Sequence, residues 1–106
     1  MKLWIDDVRP APLGYFRCRS VNEAKEIIKR YSNRIDFDNN FVDDIEIIDI
    51  DYDAGIYAGQ GGDYIKLLDW FEETGRNYPI RIHSMNPVGI KNMRAIIQRN
   101  NWKEIL

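Results

Sequence analysis

Cysteine is nearly absent: Cys18 stands alone among 106 residues, which excludes an internal disulfide and any cysteine-based metal site. A reducing compartment, and so a cytoplasmic location, is the expectation that follows. No apolar run approaches the roughly 18 residues of a membrane span, so no membrane association is expected. The opening MKLWIDDVRP meets two aspartates and a proline before any apolar stretch can develop, and reads as a first strand and not as a secretory signal. Basic residues are missing from one long stretch. Between Ile35 and Ile65 the chain carries nine acidic residues and no lysine or arginine. Such a segment repels a phosphate backbone unless a cation intervenes, which excludes an extended nucleic-acid groove there.

What is present is ordinary for a globular protein: 44% hydrophobic and 30% charged residues, with a net charge of −2. The length suits one domain over residues 1–106. Lys2 to Asp6 reads as a short strand, followed by a loop that the prolines and glycine of Arg9-Pro10-Ala11-Pro12-Leu13-Gly14 impose. Tyr15 to Arg19 alternates as an edge strand. Ser20-Val21-Asn22-Glu23 has capping-box spacing, and Val21, Ala24, Ile27, Ile28 and Tyr31 make one helical stripe. Asp36 to Asp44 reads as a solvated loop. Ile45 to Ile50 is apolar on both parities, as in a central strand covered on both faces. A glycine-rich stretch ending in Gly59-Gln60-Gly61-Gly62 leads into a second helix over Tyr64, Ile65, Leu67, Leu68 and Phe71, stopped by Gly75. Pro79 to His83 is a further strand. Asn86-Pro87 opens a third helix, with asparagine as N-cap and proline in the first turn.

Strands alternating with helices predict an α/β fold with a mainly parallel sheet and helices on both faces, in three layers. In such sheets ligands bind beyond the carboxyl ends of the strands. Asp6-Asp7 ends the first strand, Asp51-Tyr52-Asp53 the central one, and His83-Ser84 the next. Clustered carboxylates repel one another unless a cation neutralises them, so Asp6, Asp7, Asp51 and Asp53 are candidate ligands of a hard divalent ion, with Mg²⁺ the expected one. A phosphate could meet glycine amides before the second helix, or Ser84, Asn86 and the start of the third, with Arg9 as a clamp. His83, the only histidine, is the candidate for proton transfer. Tryptophans and Cys18 read as packing. The bland alternative is a set of strand-end and capping aspartates with no ion.

The segments LWIDDVRPAPLG, DIDYDAG and IRIHSMNPVGIKNM resemble the conserved blocks of the cyclic-phosphate processing receiver domain, a receiver-like family with a flavodoxin-like fold reduced in its elements. The resemblance implies processing of a cyclic phosphate, at an RNA end or on a small phosphate-bearing ligand. It places Asp6 and Asp7 at the metal-binding acid pair, Asp51 at the phosphoacceptor position and Ser84 at the switch hydroxyl. Two departures stand out. No lysine ends a further strand, since only Lys103 follows the third helix. Tyr52 occupies the place where the family's central block carries histidine, so a two-histidine mechanism is excluded. Three readings remain: a Mg²⁺-dependent phosphoesterase with His83 and Asp51 as catalytic residues, a degenerate receiver acting as a signalling or nucleotide-binding module, and a domain that docks on a protein partner.

Overall fold

The structure is a computed structural model that describes residues 1–106. Four parallel strands, β1 (Lys2–Ile5), β2 (Tyr15–Cys18), β5 (Ile47–Ile50) and β6 (Ile80–Ile82), form one sheet in the order β2-β1-β5-β6. The strand that opens the chain is thus internal, and β2 is an edge. Helix α1 (Val21–Tyr31) follows β2, α2 (Ile65–Thr74) follows β5, and α3 (Pro87–Arg99) follows β6.

The helix ends obey the signals in the sequence. Ser20 accepts the Glu23 amide at 3.0 Å, and Glu23 reaches back to the Arg19 amide. Gly75 takes the left-handed conformation, φ 69°, that ends α2. Asn86 caps α3 by accepting from Gly89 N–H at 3.0 Å, with Pro87 opening the helix. The acidic stretch read as a loop is partly ordered. A small antiparallel pair, β3 (Arg34–Ile35) with β4 (Phe41–Val42), closes over a turn in which Asp36 accepts the amides of Asp38 and Asn40. The last residues also pair, Glu104 bridging Ile80 in parallel, so the tail flanks β6.

One expectation is corrected. The helices do not cover both faces. Leu3, Ile5, Cys18, Ile48, Ile50 and Ile80 share one apolar cluster with residues of all three helices. The alternate positions, Lys2, Trp4, Tyr15, Arg17, Asp49 and Arg81, lie on the other face, outside that cluster. The reason is topological. The crossovers β2 to β5 and β5 to β6 step in the same direction, and right-handed connections then place α1 and α2 on the same side. Only the step from β1 to β2 runs the opposite way, and its connection carries no helix. The result is two layers, with the sheet's second face dressed by its own long side chains.

Candidate functional site

The backbone ladder runs past the ends of the strands and pins the candidate residues. Asp6 N–H donates to the Cys18 carbonyl at 3.1 Å, Asp51 N–H to Ile5 at 2.9 Å, and His83 N–H to Ile50 at 2.9 Å. Because the strands are parallel, all three emerge at the same edge. There the carboxylates of Asp6, Asp7 and Asp51 converge, one oxygen of each lying within 4.8 Å of the others. Gly55, at φ 55°, permits the approach of Asp7: a Cβ in its place would stand 2.3 Å from Asp7 Oδ2. The Arg17 guanidinium donates to the carbonyls of Asp6 and Asp7 and holds the turn between them against β2.

The two inner acids differ in their surroundings. Burial works against ionisation of Asp6, but amides of Arg9 and Val8 and the His83 ring outweigh it and hold the carboxyl below its ordinary value. Burial pushes the Asp51 carboxyl up, with the neighbouring Asp6 charge adding to it, against hydrogen bonds from the Tyr52 amide and Ser84 hydroxyl. A cation among three oxygens would relieve that repulsion. The donor set, all hard carboxylate oxygen, suits Mg²⁺ or Ca²⁺.

His83 is buried beside Asp6, its side chain 6% exposed. Its Nε2 is 2.9 Å from Asp6 Oδ2 and its Nδ1 is 2.6 Å from Asp49 Oδ1. One face of the ring stacks on Trp4, with centroids 3.7 Å apart and planes 5° from parallel. Asp49, 1% exposed, also accepts from Arg81 at 3.1 Å. Sequence reasoning missed Asp49, taking it as part of an apolar strand. The signal was there: it is the one polar residue of β5 and, two positions before Asp51, shares its parity.

The other candidates stand in varied relation to the acids. Asp53 is exposed and stands outside the three-carboxylate group, 3.5 Å from the Asn86 side-chain amide. Ser84 accepts the Asn86 N–H at 3.1 Å beside its contact to Asp51. Arg9 contributes backbone to the site, donating to Asp6 and accepting from Trp4 Nε1, while its side chain is exposed. Two glycines of the stretch serve packing. Gly61, φ 110°, lets the loop close on Val21 and Asn22 of α1, and Gly62 backs onto Lys66. Lys103 lies at the wrong edge, since Glu104 opposite Ile80 sets Lys103 away from the carboxyl end of β6. Burial pushes the Cys18 thiol up to about 12, which leaves it inert. No helix is long and apolar enough to cross a membrane.

No curated protein and no solved structure is matched by the chain. The sequence model of the cyclic-phosphate processing receiver domain matches residues 1–99. That span holds every strand of the sheet and all three helices, together with the acid cluster that a receiver uses for its metal. The chain therefore belongs to the cyclic-phosphate processing receiver domain family.

Proposed function

We propose that this receiver-like chain is a Mg²⁺-dependent phosphoesterase that opens a cyclic phosphate on a nucleotide or RNA end. The observation that carries the reading is the convergence of Asp6, Asp7 and Asp51 at the carboxyl edge of the sheet, in a chain of this family. These three would hold the ion. Bound Mg²⁺ would supply charge stabilisation to the phosphoryl oxygens. Ser84, Asn86 and the first turn of α3 would receive those oxygens, and Arg9 has an exposed side chain free to close on them. In hydrolysis of the ring a water oxygen bonds to phosphorus, one ring P–O bond breaks, and the water's proton ends on the departing hydroxyl. The carboxylate oxygen of Asp51 turned away from the ion would take and return that proton. With both ring nitrogens engaged, His83 would serve through Asp6.

A second reading has its own support. The Tyr52 ring fills the space against Gly89 where the family carries histidine, which fits a degenerate receiver that binds a phosphate-bearing ligand without turnover. The test is hydrolysis of 2′,3′-cyclic nucleotides in millimolar Mg²⁺. Turnover by wild type, reduced about 10² or more by Asp51→Asn, is expected for loss of a positioned acid or base. Mg²⁺-dependent nucleotide binding with no turnover would install the second reading. Stable phosphorylation of Asp51 by a small phosphodonor would make the chain a signalling receiver.

A further inference from the structure

We infer that Asp49 is a positioning residue for Asp6, acting through His83. The inference rests on the reading of Asp6 as a metal ligand and requires only that the ion binds, not that the chain hydrolyses anything. Four groups from three strands make one connected line across the bare face of the sheet: Arg81, Asp49, His83 and Asp6. Every contact in it falls between 2.6 and 3.1 Å. The imidazole has almost no freedom. Its backbone amide is tied to Ile50, its face to Trp4, and its two nitrogens to opposite carboxylates.

Stability alone does not account for this arrangement. Burying ionisable groups in a sheet is costly, and replacing such a set with apolar residues of similar volume is often neutral or stabilising. What the line does achieve is geometric. Asp6 has two oxygens; the amides of Val8 and Arg9 hold Oδ1, and His83 holds Oδ2. The carboxylate plane is thereby fixed, with one of its oxygens within 4.8 Å of oxygens of Asp7 and Asp51. His83 can hold Oδ2 only while Asp49 fixes the ring from the other nitrogen. Partners behind a metal ligand commonly govern affinity by 10- to 100-fold, and Asp49 is placed to do so at one remove.

The measurement is Mg²⁺ affinity by calorimetry on folded protein, well below the melting temperature. Wild type, Asp49→Asn, His83→Gln and the double variant make a cycle. Each single change is expected to weaken Mg²⁺ about 10- to 100-fold, and the double to be no weaker than the worse single, because both cut the same line. A residue that merely supports the fold would lower the melting temperature and leave the affinity of the folded protein unchanged. Unchanged affinity in Asp49→Asn, or losses that multiply in the double variant, would overturn the inference. Wild type that takes up no Mg²⁺ would instead remove the metal reading, and this inference with it. Should Asp49→Asn fail to fold, Arg81→Gln frees the other Asp49 oxygen from a half-exposed position. It should weaken Mg²⁺ in the wild-type background and have no effect in His83→Gln; no effect in both would overturn the inference.

Discussion

Asp6 and Asp51 stand side by side yet their carboxyls are displaced in opposite directions, and each displacement has a consequence for stability. Asp6, held low, contributes stability that is present above its unfolded value of 3.8 and is lost as pH falls through its depressed folded value. Asp51 is the reverse case. Its raised carboxyl imposes no penalty below 3.8, and the penalty is complete once pH has risen past the folded value. Above that folded value the metal-free protein carries an unfavourable charge at Asp51. Asp51→Asn should raise the melting temperature of metal-free protein at pH 7 while removing any further rise on adding Mg²⁺. A thermal scan in chelator showing a lower melting temperature for the variant would contradict this. Asp6→Asn should do the opposite in chelator, since an amide cannot accept as well from two backbone N–H groups and His83. Of the site, the strand-end acids were legible in the sequence because an aspartate at the end of an apolar run stands out. Asp49 was not, because its neighbours Ile47, Ile48 and Ile50 hide it inside the pattern of a buried strand.

The start of α3 is built around a missing side chain. Gly89 lies in its first turn, and a Cβ there would stand 2.3 Å from the Tyr52 ring. Tyr52 follows Asp51 directly, so the ring packs the end of β5 against the helix that follows Ser84. Gly89→Ala should destabilise by about 1–3 kcal/mol, the usual cost of overpacking, despite the better helix propensity of alanine. Pairing it with Tyr52→Ala should bring the double variant above the sum of the singles, since the space is then free; additive losses in denaturant titration would rule out the clash. At this scale the sequence was most readable where a local rule governs, as at the Ser20 and Asn86 caps and the Gly75 stop. It was least readable where tertiary direction governs. The β3–β4 pair has only two residues a side, too short for periodicity, and Gly61 before α2 serves packing on α1. Coverage of one sheet face only depends on the direction in which the chain steps between strands, which no window of residues records.

For the whole molecule, an ion that binds the native acids and not the unfolded chain must stabilise the fold. At a concentration one hundred times its Kd, Mg²⁺ should add about 2.7 kcal/mol, on the order of 10 °C for a chain of this size. Asp6→Asn together with Asp7→Asn should abolish the rise, and a wild-type melting temperature indifferent to millimolar Mg²⁺ would exclude the acids as a metal site. The bond from Asp6 to His83 joins residues 77 apart in sequence, and the bond from Asp49 to His83 residues 34 apart. The first strand has one near partner, Tyr15 of β2 opposite Lys2, and one far along the chain, Ile47 opposite Lys2. With helices and non-local strand pairs mixed, refolding should fall between the microseconds of helical bundles and the seconds of all-β folds. The contacts that orient Asp6 run through His83 and so depend on the pairing of β6 with β5. A nascent chain on the ribosome should therefore stay without its full capacity for Mg²⁺ until β6 has emerged.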